Sequence, residues 1–194
     1  ARRALHNLGL VLFWGERYSE AEVVFREAAE AYRAAVGADH ATTLRSLMST
    51  ASALQKQSKL GDAEPLMREV VERRRRTLGG DDPSTQDAVR VLGRMLMDRE
   101  MPREAEPLLR DHLAFLERTV GEGHRDIVFA TEYMVNCLAV QGRMWECHTL
   151  TRAYLRRCLR VLGPDHTMSR DALVKYRDSA LLRWCTCCWQ RLYS

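Results

Sequence analysis

Val36-Gly37-Ala38-Asp39-His40 returns as Leu78-Gly79-Gly80-Asp81-Asp82, as Val120-Gly121-Glu122-Gly123-His124 and as Leu162-Gly163-Pro164-Asp165-His166. The leading glycines, at 37, 79, 121 and 163, stand 42 residues apart each time. A fixed period of this size marks a stacked array of one supersecondary unit, in which each copy covers its neighbour's apolar face and no deep pocket is needed. Function is therefore expected on surfaces.

Each copy divides into two helical halves. In the second half Ala63, Leu66, Met67, Val70 and Val71 in one copy, and Ala105, Leu108, Leu109, Leu113 and Leu116 in the next, recur in steps of three and four, the stripe of an amphipathic helix. Pro65 and Pro107 are expected just inside the start of that helix, where a first-turn amide has no intrahelical acceptor to lose. The glycine after the last apolar residue reads as a left-handed stop. In the first half Leu5, Gly9 and Leu12 repeat as Leu47, Ala51 and Leu54, then as Val89, Gly93 and Leu96. The small central residue lets two backbones cross closely, and Ala21, Ala63 and Ala105 offer the matching small site on the partner helix. Asp82-Pro83-Ser84-Thr85 reads as an N-cap followed by a first-turn proline.

Bulk composition agrees. The 194 residues carry 30 Lys+Arg against 26 Asp+Glu, a net charge of +4, with 46% hydrophobic residues. That weak basic balance gives no footprint for nucleic acid, and no apolar run approaches the roughly 20 residues of a membrane-spanning helix. No secretory leader is expected, and a start in mid-pattern suggests a piece of a longer chain. The six cysteines, Cys137, Cys147, Cys158, Cys185, Cys187 and Cys188, are irregularly spaced, unlike a disulfide framework. A reducing, cytoplasmic setting is expected.

The segment Glu16-Arg17-Tyr18-Ser19-Glu20-Ala21-Glu22, followed by Phe25 and Ala28-Ala29, resembles the turn and second helix of a tetratricopeptide repeat, here lengthened from its usual period of 34. Gly37-Ala38-Asp39-His40-Ala41-Thr42-Thr43-Leu44 is similar to the joint of the kinesin light chain group, which nephrocystin-type proteins share. The resemblance covers residues 1–180. It implies an all-α, right-handed superhelical solenoid of antiparallel helix pairs, with repeats near 1–36, 37–78, 79–120 and 121–162, about ten helices in all, a cap helix over 163–182 and a Trp/Cys-rich segment over 183–194. In repeat four Cys147 replaces the small alanine and Thr151 the aromatic residue.

The resemblance further implies a concave groove that holds a peptide. Projecting the small residues inward leaves another face of each first helix for that groove: Arg3, His6, Leu10 and Phe13; Arg45, Met48, Ser52 and Gln55; Asp87, Arg90, Arg94 and Met97; Phe129, Glu132, Asn136 and Ala139. Four arginines on three successive copies suggest a positive track with apolar spots. Relatives clamp ligand backbone with an asparagine one position on, kept only as Asn7, while Ser49, Val91 and Tyr133 replace it later. The expected partner is a protein or peptide whose acidic residues flank a large apolar one, because guanidinium groups pair with carboxylates bidentately. The competing reading is an architectural subunit of a permanent assembly with no free peptide ligand.

Arg73-Arg74-Arg75-Arg76 splays round a helix end and is expected to be a solvated run that complements the helix dipole. His40, His124 and His166 share one register position with Asp82, which favours capping over metal binding. Cys147-His148 reads as packing, and Trp184-Cys185-Thr186-Cys187-Cys188-Trp189 as an apolar segment that docks on the last repeat or a partner. No nucleotide-loop, nucleophile-elbow or zinc-protease motif is found, so neither an enzyme nor a cofactor is expected.

Overall fold

The computed structural model describes residues 2–121 and 124–178, and the Trp/Cys-rich 183–194 stretch lies outside them. The described residues are all-α: α1 (Arg2–Trp14), α2 (Tyr18–Val36), α3 (Ala41–Lys56), α4 (Leu60–Leu78), α5 (Pro83–Asp98), α6 (Pro102–Thr119), α7 (Arg125–Val140) and α8 (Met144–Val161), with a further helical stretch over 167–178. Two compact units part between Glu100 and Met101, one holding α1–α5 and the other α6 onward. In the first unit α1 packs on α2, α2 on α3, α3 on α4 and α4 on α5; in the second, α6 packs on α7 and α7 on α8.

The joints work as the repeat demands. Gly37, Gly79, Gly121 and Gly163 have φ of 96°, 89°, 73° and 82°. At Gly37 and Gly79 ψ is 165° and 166°, so these two lie in the positive-φ extended region, open essentially to glycine alone, and not in the left-handed helical well. The next helix is then capped by one position of the register. The Nδ1 atoms of His40, His124 and His166 accept from the amides of Thr42, Asp126 and Met168, and Asp82 accepts from Ser84 and Thr85. A ring nitrogen thus takes the place of the usual capping oxygen. Thr43 and Ser169 fasten the joint by donating to the carbonyls of Gly37 and Gly163.

Small residues set the spacing of the helices. Ala21, Ala63 and Ala105 are fully buried. A Cβ added at Gly9 would stand 2.5 Å from the Phe25 ring, so only glycine lets α1 lie this close to α2. Beside each buried alanine a glutamate grips the turn of the following hairpin. Glu22 meets Arg26 and, across the hairpins, Gln57 and Lys59. Glu64 meets Arg68 and Arg99. Glu106 meets Arg110, Gln141 and Arg143. In the fourth copy Cys147-His148 replaces the pair: Cys147 is buried, and the buried His148 ring stacks on Tyr176 with centroids 5.1 Å apart.

One expectation is corrected and one feature is new. Pro65 and Pro107 are the sixth residues of α4 and α6, because each second helix begins at the hairpin turn, a full turn before the buried alanine's apolar stripe. Each proline therefore removes an interior hydrogen bond, and the carbonyls it frees, on Gly61 and Arg103, belong to exposed residues where water can serve them. The second finding is a strained residue inside the hairpin turns. Glu16, Ser58 and Glu100, with φ of 60°, 62° and 59°, occupy the left-handed position that Gly142 fills in the fourth copy. Left-handed backbone costs an L-residue about 1–2 kcal/mol.

Ser58→Gly and Glu100→Gly should each raise stability by about 0.5–1 kcal/mol, since relief of strain is partly offset by the entropy of an added glycine; chemical denaturation measures this, and a lower midpoint in both would contradict the strain. The Glu106 carboxyl is held down to about 2 from its ordinary 4.5, first by the hydrogen bond from Arg110 and then, against the opposing effect of burial, by Gln141 and Arg143. A depressed folded value stabilises above the unfolded one, so this contribution is complete above about 4.5 and is lost as pH falls toward about 2. Thermal scans across that window should show a falling midpoint in wild type and a flatter profile in Glu106→Gln.

Candidate functional site

The first-helix face of the first unit is built on three helices that contribute corresponding register positions. On α1, Arg3, Asn7 and Leu10 are exposed. On α3, Arg45 is exposed and Met48, Ser52 and Gln55 are half-buried. On α5, Asp87, Arg90, Arg94 and Met97 are half-buried. Gln55 ties α3 to α5 by donating to Asp98 at 2.6 Å. Ser52 spends its hydroxyl proton on the Met48 carbonyl, the back-bond typical of serine within a helix.

The arginines differ in what they have free. Arg90 is paired with Asp87 at 2.5 Å, one turn back on α5. Arg94 has its Nε buried with no acceptor among the described residues. Arg45 and Arg3 extend into solvent. Exposed Leu10 and half-buried Met48 and Met97 supply apolar surface on the same helices.

His6 is corrected out of this face. It is buried, its Nδ1 lies 3.1 Å from Ser46 Oγ and its ring 5.4 Å from that of Phe25. Burial, assisted by the charge of Arg45, lowers its basicity. It is therefore a neutral packing residue between α1 and α3, because the turn of α1 that carries Gly9 against Phe25 carries His6 inward with it.

Arg74 is the residue that sequence reasoning misplaced. The solvated run expected over Arg73–Arg76 holds for Arg76, but Arg74 is buried. Its Nη1 donates to the Ser84 carbonyl at 2.5 Å and lies 4.0 Å from Met48 Sδ. Burial lowers its pKa, while Asp87 and Asp82 pull the other way. The register contained the signal: positions 32, 74, 116 and 158 are equivalent, and Tyr32, Leu116 and Cys158 are all buried. Arg73 and Arg76 bind Asp39 instead, in an open hollow of about 620 Å³ that also includes Pro65, Arg68 and Glu69.

In the second unit the corresponding face is self-satisfied. Phe129 and Asn136 on α7 are half-buried. The Lys175 ammonium donates to Glu132 at 2.9 Å and to Asn136 at 3.1 Å, and the Arg125 guanidinium lies over the Phe129 ring at 5.3 Å. Asn136 therefore spends its carbonyl oxygen internally. Tyr154 is fully buried close by, and burial, with the nearby Glu132 charge, pushes its phenol well above the usual range. No group of three or more His, Cys, Asp or Glu able to hold a metal occurs among the described residues, and none of the described helices is long and apolar enough to cross a membrane.

Paired antiparallel helices, glycine joints and the Ala-Glu turn define a tetratricopeptide repeat array, and family models agree. Models described as tetratricopeptide repeat match residues 1–72 and 85–126, together more than half of the chain. The chain belongs to this repeat family. A structure of nearly identical TPR-like repeats of a putative kinesin light chain from Podosopora anserina is similar at a TM-score of 0.83 and 18% identity, covering 98% of this chain and 90% of that one; a single-substitution variant of it matches equally. BtubC (BKLC) from P. vanneervenii is similar at a TM-score of 0.59 and 10% identity, over 94% and 79% of the two chains. A MamA RS-1 double mutant is similar at a TM-score of 0.63 and 12% identity, over 94% and 96%. A search of curated protein sequences finds no match. Tetratricopeptide arrays are non-enzymatic scaffolds for protein–protein interaction, and the chain has that fold.

Arg74 and Arg45 should separate structure from function. Arg74→Ala removes a buried side chain together with its hydrogen bond to the Ser84 carbonyl and should cost about 1–3 kcal/mol, whereas the exposed Arg45→Glu should stay within about 0.5 kcal/mol of wild type; urea melts distinguish the two.

Proposed function

We propose that the first-helix face of α1, α3 and α5 binds an extended or helical segment of a partner protein, in which acidic residues flank a large apolar one. The observation that carries this reading is spare positive charge on the face: Arg3 and Arg45 are exposed at one register position, and Arg94 on α5 is half-buried with no carboxylate paired to it among the described residues. A guanidinium that meets a ligand carboxylate forms charge-assisted hydrogen bonds, roughly twice as strong as neutral ones. Leu10, Met48 and Met97 supply the apolar anchor site, in keeping with interfaces where a few buried side chains carry most of the energy. Asn7 stands where relatives of the kinesin light chain group clamp ligand backbone. The face is therefore an adaptor surface of the scaffold type.

The free thiols of Cys137, Cys147 and Cys158 support action in a reducing, cytoplasmic setting. Charge is expected to steer the partner, so binding should weaken with salt.

A pull-down with wild type and with the Arg45→Glu, Arg90→Glu, Arg94→Glu triple variant tests the reading. Partners captured by wild type should be lost from the variant, and peptides cut from them should bind wild type with an affinity that falls as salt rises. An unchanged set of partners, with the variant folded by circular dichroism, would sink the assignment.

A further inference from the structure

The outward face of α8 changes charge relative to its equivalent on α4. In the second copy the arginines of this face are answered from within the copy: Arg68 by Glu64 at 2.6 Å, Arg73 by Glu69 at 2.8 Å and Arg76 by Asp39 at 2.8 Å. In the fourth copy the arginines stay and the acids go. Arg152 and Arg160 stand where Arg68 and Arg76 do, while Asp39, Glu64, Glu69 and Glu72 become Gly123, His148, Ala153 and Arg156. The one acid left on α8, Glu146, is bound to Arg143. Arg157 turns aside to Glu117 and the Thr131 hydroxyl. Arg152 and Arg156 are exposed and have no acceptor among the described residues. Residues 179–194 hold no Asp or Glu to answer them.

The face is open because of its register, wherever the chain begins or ends. Arg68, Glu72 and Arg76 on α4, and Arg110 and Arg118 on α6, are exposed at the equivalent positions although the next first helix packs on each of these helices. Trp145 and Leu159 flank the basic row, 62% and 45% exposed. Trp145, Arg152 and Arg156 share one side of the helix, at steps of seven and four residues. The opposite side, with Cys147, Thr151, Tyr154 and Cys158, is buried. No continuous apolar face is therefore left to sink into a lipid interface, and two spare arginines on one helix are a small footprint for nucleic acid.

We infer that the outward face of α8 docks an acidic helix of a partner protein, which sets carboxylates one turn apart against Arg152 and Arg156 and a large apolar side chain against Trp145. Carboxylates are the groups that answer this register in the second copy, and guanidinium groups pair with them bidentately. A second helix repeats its side chains at the same rise, about 6 Å for every four residues, so successive acids meet successive arginines. The exposed tryptophan supplies the kind of anchor that carries much of the energy at protein interfaces. This face is distinct from the first-helix face of α1, α3 and α5, so the two readings stand or fall apart.

The probe is a synthetic alanine-rich helical peptide with glutamates at i, i+4 and i+8 and a leucine two turns beyond them, labelled for fluorescence anisotropy. It is titrated with the Arg45→Glu, Arg90→Glu, Arg94→Glu variant, in which the first-helix face has its charge reversed. The peptide should bind, less tightly as salt rises. Adding Arg152→Glu and Arg156→Glu should weaken binding by about tenfold or more, a loss of about 1.4 kcal/mol, and Trp145→Ser should weaken it as well. The substituted side chains are exposed, so the variants should fold, which circular dichroism checks. A peptide with lysines in place of its glutamates should bind the variant reversed at Arg152 and Arg156 better than it binds the parent. Absence of binding at millimolar peptide, equal binding to all variants, or equal binding of a peptide whose glutamates are scattered round the helix would each overturn the inference. So would phosphatidylserine vesicles or a DNA duplex that bind the parent more tightly than the peptide does and are lost with the same substitutions.

Discussion

An alanine followed by a glutamate, one turn into the second helix of the first three copies, is the contact on which the packing of their hairpins depends. The alanine lets the next first helix approach until the backbones nearly touch, and the glutamate then holds that helix by its C-terminal turn. Neither half works alone. A larger residue at position 21, 63 or 105 would push the hairpins apart and leave the carboxylate short of its partner, while an alanine without the glutamate would leave the approach unregistered along the helix axis. The Glu106 network, with Arg110, Gln141 and Arg143 converging on one carboxylate, is the fullest version, and it shows as a strongly depressed pKa. At Glu22 the same balance holds less strongly: burial alone would raise its pKa, and Gln57, Arg26 and Lys59 together outweigh that and lower it. These ion pairs are half-exposed at the arginine or lysine end, so their value lies in fixing register more than in raw stability.

Recognition surfaces follow from what this packing leaves unused. A repeat array spends most of its apolar side chains on its neighbours, so function falls to side chains that the register positions but does not consume. On α3 and α5 those are arginines and methionines; on α7 the same positions are occupied from within, by Lys175 and Arg125. The first-helix face proposed for recognition therefore lies on the first unit, although the repeat period alone makes all copies look equivalent.

Much of this was legible in the sequence for a simple reason: local chemistry was repeated in step. The joint glycines, the capping register of His40, Asp82, His124 and His166, and the first-turn Pro83 each depend on a few neighbouring residues, and four copies in phase remove the ambiguity of one. The helix starts were harder. Tyr18, Leu60, Pro102 and Met144 begin the second helices with no capping side chain, so Pro65 and Pro107 seemed the natural first-turn markers. The strained Glu16, Ser58 and Glu100 were invisible for a related reason: only the fourth copy shows its glycine.

The sequence by itself determined the unit, its period, its two helices and its membership of the tetratricopeptide family, because those rest on spacing, backbone preference and binary pattern. Only the tertiary structure decided that His6 is buried against Ser46, that Arg74 turns inward to the Ser84 carbonyl while Arg45 stays in water, and that Asn136 is bound to Lys175. Those outcomes depend on what each side chain meets from residues about forty positions away or across a helix pair. A charge can be read from a sequence, but whether it is solvated, neutralised or left waiting for a ligand is fixed by the groups packed around it.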